Sequence, residues 1–179
     1  MALVAIYDSG VGGLSIAQEV LRTSPEHGYI FLSDNQAFPY GTKSKKDLLD
    51  RALSIVSRLD ENFCIDVLIV ACNTASTVVL PMLREQFDFD VIGVVPAIKP
   101  AAQLSKTKHI ALLATPATIE RRYTDELIEH FADDCTITKI GSSELVMLAE
   151  DKLYRRALDD SQLDTILQEV IENLSLIHI

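Results

Sequence analysis

Cys72 is the residue in this sequence best placed for chemistry. It follows the apolar run Val67-Leu68-Ile69-Val70-Ala71 and opens Asn73-Thr74-Ala75-Ser76, so it stands where a strand ends and a helix begins. Free N–H groups and the helix dipole at such a junction favour negative charge. They lower a thiol from its ordinary pKa of about 8.5 and make it a base at neutral pH. On position alone two readings stay open, a reactive cysteine and a buried structural one. Asn73 and Thr74 can bind a polar substrate or simply cap the helix. His27, His109 and His130 belong to no motif, so the usual cysteine-nucleophile arrangement is missing. A cysteine acting as a base toward carbon, helped by a carboxylate, is a different matter. Cys64 and Cys135 lack such surroundings and are expected in the core.

Two other segments carry the right residue types. Asp8-Ser9-Gly10-Val11-Gly12-Gly13 lies between a strand and a helix, where glycines permit a tight turn and expose N–H groups to an anion. A dinucleotide loop would want glycine where Ser15 stands, and no Gly-Lys-Ser/Thr follows for a P-loop, so a carboxylate is the better-sized anion. A turn that merely needs glycines explains Gly10, Gly12 and Gly13 but not Asp8, which could orient or assist Cys72. In Phe38-Pro39-Tyr40-Gly41-Thr42, proline fixes one dihedral and glycine frees another, holding out a tyrosine hydroxyl. A β-turn with a packed tyrosine is the commoner outcome of such a run.

The elements that must position these segments alternate along the chain. Leu3–Tyr7, Tyr29–Leu32, Val67–Ala71 and Val91–Val94 read as strands, with helices over Leu14–Leu21, Asp47–Leu59 and Ala75–Phe87. The pattern starts again with a strand His109–Ala114, a helix Thr118–Phe131, a strand Thr136–Ile140, and helices Ser142–Ala149 and Leu163–Leu174. Alternation of this kind predicts an α/β fold with parallel sheets covered by helices on both faces. Pro96 and Pro100 bracket the crossing between two such units. In open parallel sheets, ligands sit beyond the carboxyl ends of the strands, where all three segments fall.

Composition excludes more than it proposes. The 179 residues carry a net charge of −10, which repels phosphate backbones and anionic lipid, so no nucleic acid or membrane partner is expected. No stretch approaches the roughly 20 apolar residues of a membrane span. Met1–Tyr7 lacks the basic region of a signal peptide. Three cysteines without a CxxC pair suit a reducing cytosol, so the expected location is cytoplasmic, and nothing suggests a structural metal.

Taken together and in order, Asp8 to Ser15, Phe38-Pro39-Tyr40-Gly41 and Ala71 to Ser76 resemble the glutamate racemase family. Val91 to Ala101 is similar to its enterobacterial branch, and the resemblance runs to about Asn173. It implies two doubly wound parallel-sheet domains related by a pseudo-twofold axis, residues 1–97 and 98–173, with the active site in the cleft between them. It implies interconversion of L- and D-glutamate for peptidoglycan, without pyridoxal phosphate, metal or other cofactor, by a monomer or homodimer. One cysteine thiolate removes the α-proton while a second delivers a proton to the opposite face. By motif, Cys72 is the base acting on the D-isomer, and Asp8 and Ser9 hold the substrate ammonium and help Cys72. Tyr40, Gly41, Asn73 and Thr74 bind substrate, as do Thr115 and Thr118. Glu150 matches an acidic residue assisting on the opposite face. A UDP-linked muramyl-alanine activator is implied by the same branch.

The sequence departs from the family in lacking the Gly-Cys-Thr-His run of the second cysteine. Leu174-Ser175-Leu176-Ile177-His178-Ile179 breaks the helical pattern and reads as a sequencing-adapter translation. The expectation is a C-terminally incomplete chain with a non-native tail at 174–179. Such a chain would have an exposed strand edge and no competence for full inversion. The rival readings are an aspartate- or hydantoin-type racemase, a one-cysteine decarboxylase of the same architecture, and a non-catalytic α/β binding module.

Overall fold

The computed structural model describes residues 1–156 and 160–175. The chain divides into two compact units, Met1–Val95 and Pro96–Ile179. The first unit is built on four strands, β1 (Leu3–Asp8), β2 (Gly28–Ser33), β3 (Val67–Val70) and β4 (Asp90–Gly93), in the order β2-β1-β3-β4. Every pair is parallel, with Tyr7 opposite both Leu32 and Val70. The connections are α1 (Leu14–Thr23), α2 (Lys45–Phe63) and α3 (Asn73–Gln86).

Alternation along β1 feeds two cores. Ala5 and Tyr7 join Leu68, Val70 and residues of α2 and α3 such as Leu48, Val56, Val79 and Leu83. Val4 and Ile6 join Ile69, Ala71 and Ala17 of α1. This is the two-faced burial that makes parallel strands nearly all apolar. Ser44 starts α2 as its N-cap, its side chain accepting from the Asp47 N–H. Cys64 ends that helix in the left-handed region at φ 49°.

The second unit contains α4 (Ile98–Leu104), β5 (His109–Ala114), α5 (Pro116–Ile119), α6 (Arg122–Phe131), β6 (Thr136–Gly141), α7 (Glu144–Leu153) and α8 (Asp160–Ser175). Strands β5 and β6 pair in parallel, and Ile98, Ala102 and Ala132 form the buried centre of its core.

The crossing bracketed by Pro96 and Pro100 follows the boundary between the two units and leads into α4, with Pro100 at its third residue, where a missing N–H costs no intrahelical bond. Three readings are corrected. The single helix expected over Thr118–Phe131 is broken into α5 and α6. The Thr124 hydroxyl donates to the Thr118 carbonyl at 2.6 Å, and Arg121 is extended before α6. Cys64 is exposed and Cys135 only half-buried, packed at the margin of the second core with its thiol donating to Asp134 at 3.2 Å. The expected tail is helical to Ser175; residues 176–179, His178 among them, lie outside the described residues. No described helix is long and apolar enough to cross a membrane.

Candidate active site

Three carboxyl-end segments of the first sheet meet around Cys72. β1 ends at Asp8, which is 5% exposed, and Ser9 follows it at 8%. Cys72 caps α3 at the end of β3, its Sγ accepting from the Ala75 N–H at 3.5 Å. Ser9 Oγ and Cys72 Sγ lie 3.4 Å apart, within hydrogen-bond reach across 63 residues of sequence. Backbone bonds fix this meeting: the Ala71 N–H donates to the Tyr7 carbonyl at 2.8 Å and the Asp34 N–H to the Asp8 carbonyl at 2.9 Å. Thr74 is buried and Asn73 exposed, so the helix start turns one polar side chain in and one out.

The glycine loop is used differently from the sequence expectation. Asp8 Oδ2 accepts from the Gly13 N–H at 2.8 Å, so an anion of the chain itself takes that helix-start donor. A Cβ at Gly13 would stand 2.8 Å from Asp8 Cβ and 3.0 Å from Ala71 Cβ. Glycine is therefore required by the close approach of α1 to the ends of β1 and β3.

The thiol also departs from expectation. Burial pushes Cys72 up to about 11, and the nearby Asp8 carboxylate adds to the rise. The Ser9 hydroxyl and the Ala75 and Ser9 N–H groups pull the other way without prevailing. The helix start does offer the donor that the sequence promised, but desolvation at 7% exposure outweighs it.

Tyr40 is not held out. It sits in a 3-10 turn (Tyr40–Thr42) after the cis Phe38–Pro39 peptide, 2% exposed. Its hydroxyl donates to Asp34 Oδ2 at 2.6 Å and meets the Tyr7 hydroxyl. Burial raises both tyrosines above the ordinary phenol range. Arg51 of α2 closes this chain with a two-pronged pair onto Asp34, Nη2 to Oδ1 at 2.6 Å and Nε to Oδ2. Burial alone would raise the Asp34 carboxyl, but the bonds from Arg51 and Tyr40 hold it below the usual carboxylate range. Sequence reasoning missed Tyr7, Asp34 and Arg51. A tyrosine inside an otherwise apolar strand was the available signal for the first.

The remaining candidates belong to the second unit. Thr115 caps α5, accepting from the Thr118 N–H at 3.2 Å, and the two hydroxyls lie 2.8 Å apart. Thr118 is 1% exposed and Thr124, also missed from sequence, is fully buried. Glu150 is a buried carboxylate on α7. Among the described residues no group of three or more His, Cys, Asp or Glu could hold a metal ion.

The model of a family described as Asp/Glu/Hydantoin racemase matches residues 14–175. Glutamate racemase of Shewanella sp. (strain MR-7) is 48% identical over 169 residues, 94% of this chain and 62% of the relative. That of Pectobacterium atrosepticum is 50% identical over 165 residues, 92% of this chain and 58% of the relative. Among solved structures, Escherichia coli glutamate racemase in complex with L-glutamate and activator UDP-MurNAc-ala matches with a TM-score of 0.90 and 49% identity. It covers 94% of this chain and 63% of that chain. Glutamate racemase RacE1 from Bacillus anthracis matches with a TM-score of 0.82 at 26% identity, over 97% of this chain and 64% of its own. The chain thus spans about three-fifths of the length of these relatives. With its parallel sheets and a cysteine at a strand end, the chain belongs to the Asp/Glu/Hydantoin racemase family.

Proposed function

We propose that this chain carries one face of a cofactor-independent glutamate racemase. Cys72 exchanges a proton with the α-carbon, taking it from D-glutamate as thiolate and returning it as thiol. In the first direction the Cα–H bond breaks and an S–H bond forms; the second is the reverse. The observation that carries this reading is the corner of Asp8, Ser9 and Cys72, with Ser9 Oγ 3.4 Å from Sγ.

The α-proton of an amino acid is a very weak acid, so its removal needs a desolvated site with fixed donors around the substrate carboxylate. The corner is desolvated enough to hold Cys72 neutral, which is the form that delivers a proton. An α-ammonium docked beside Asp8 and Ser9 offsets the carboxylate charge that helps to raise the thiol, so substrate binding itself makes the thiolate accessible. Asn73, Thr74 and the Tyr40–Gly41 turn are assigned to the substrate. With the Tyr40 hydroxyl committed to Asp34, the turn is assigned its backbone rather than its phenol. Thr115 and Thr118 are assigned further substrate contacts and Glu150 the assisting acid of the opposite face. The resulting D-glutamate supplies peptidoglycan in the cytoplasm, under an activator of the UDP-muramyl-alanine class as in the E. coli complex.

The test is deuterium exchange at the α-carbon of D- and L-glutamate, followed by NMR beside polarimetry, with both aspartate isomers run alongside. The expected result is exchange on D-glutamate without inversion by the 179 residues, and inversion by a chain extended through a second strand-end cysteine. Faster exchange on aspartate would replace glutamate as the substrate, and exchange on neither would overturn the reading.

A further inference from the structure

Behind Cys72 lies a buried polar chain that the proton-transfer reading does not use. Four residues form it, one each from α2, the end of β2, the 3-10 turn and β1: Arg51, Asp34, Tyr40 and Tyr7. Its hydrogen-bond directions are forced. An ionised carboxylate only accepts, so Tyr40 donates to Asp34, and Tyr7 must then donate to Tyr40. Arg51 donates to Asp34 from the other side with the planar fork that matches a carboxylate. The chain runs from an arginine side chain 34% exposed, on an open groove also lined by Lys43 and Arg58, to a tyrosine with no exposure at all.

Three of its members, Tyr7, Asp34 and Tyr40, also pack against or bond to the corner that holds the thiol. Tyr7 immediately precedes Asp8 and packs in one core with Tyr40, Cys72 and Ala75. Asp34 donates its own N–H to the Asp8 carbonyl. Tyr40 and Tyr7 stack edge-on with ring centroids 6.3 Å apart, forming a wall on the α2 side of the sheet. A carboxylate at 6% exposure keeps its charge only while its cation stays, and the two tyrosines keep their orientation only while that acceptor stays.

We propose that Arg51 is a positioning residue for Cys72: acting through Asp34, Tyr40 and Tyr7, it holds the Tyr40–Gly41 turn against the Asp8–Ser9 corner and keeps water from the thiol on the α2 side. This deepens the reading of Cys72 as the proton-transfer group, and its test uses neither glutamate nor turnover, so the two stand or fall separately.

The experiment is the rate of Cys72 alkylation by iodoacetamide, in a Cys64→Ser, Cys135→Ser background. Arg51→Met and Asp34→Asn are expected to alkylate about tenfold faster near pH 8, as admitted water lowers a desolvated thiol by about one pH unit. Arg51→Lys, which keeps a cation at Asp34 without the fork, is expected to return the rate to within about threefold of the parent. Leu59→Ala, a core truncation in the same helix, serves as the stability control and is expected to lower Tm while leaving the rate unchanged. Should Arg51→Met fail to fold, Tyr7→Phe, which removes the last donor of the chain, carries the same comparison. Rates within twofold of the parent for the folded network variants, or an equal acceleration in Leu59→Ala, would overturn the proposal.

Discussion

The two units hold their polar candidates by different means. In Met1–Val95, Asp8, Ser9, Cys72 and Thr74 are all under one-tenth exposed, at the ends of strands buried on both faces. Their partners are distant in sequence: Ser9 reaches Cys72 across 63 residues, Tyr7 reaches Tyr40 across 33 and Arg51 reaches Asp34 across 17. In the second unit β5 is half-exposed along its whole length. Thr115 and Thr118 are set by bonds spanning three residues, and Thr124 by one spanning six. Placement by long-range packing makes a site depend on the whole unit, whereas placement by a local turn lets it survive a loosened core.

The strongest way to break that contrast is at the thiol. Cys72→Ser is expected to reduce α-proton exchange on D-glutamate about a thousandfold, the range lost with one general acid–base group, as read by NMR. An equal loss in Thr118→Ala would contradict the concentration of the chemistry in the first unit. Next comes the core beneath it. Leu68 is fully buried on β3, and Leu68→Ala should cost about 3 kcal/mol in denaturant unfolding. Because Leu68 lies in the strand that leads into Cys72, unlike Leu59 near the end of α2, this substitution should also release Cys72 to alkylation, while a structural reporter on the Thr115–Thr118 turn stays unchanged.

A smaller effect sharpens the electrostatics. Asp8→Asn removes a charge that raises the thiol, so the alkylation midpoint should fall below about 11. The sign of the stability effect follows. A thiol raised on folding contributes its full stabilisation below the ordinary range of about 8.5, and loses it as pH climbs from there toward the folded value. The loss of stability on alkalinisation should therefore be smaller in Asp8→Asn than in the parent. The smallest effect is local: Thr115→Ala removes an N-cap and should cost about 1 kcal/mol, with Cys72 reactivity unchanged.

What the sequence revealed follows the same division between local and distant. Strand and helix positions in the first unit were legible because apolar periodicity is a local signal, and Cys72 was legible because a junction after an apolar strand is written in adjacent residues. The state of its thiol was not. Desolvation comes from a core built by several elements and the Asp8 charge from the end of β1, some 60 residues away, and together they reverse what the helix start alone implies. The packed tyrosine was among the readings of that run, but nothing beside Tyr40 announces that Asp34 and Tyr7 will claim its hydroxyl. The break between α5 and α6 depends on one threonine side chain competing for a backbone carbonyl, which periodicity does not see.

The position of β1 has a consequence for how the corner can fail. It is laddered on both sides, Leu3–Asp8 against β2 and Val4–Tyr7 against β3. Its amides point alternately into the two ladders, and those bonded to β3 exchange only when the two central strands part, which places them with the slowest-opening part of the unit rather than with a fraying edge. Asp8 and Ser9 extend directly from that strand, and Cys72 from one of its neighbours. The corner therefore has no melting event of its own and shares the cooperative unfolding of the sheet that carries it.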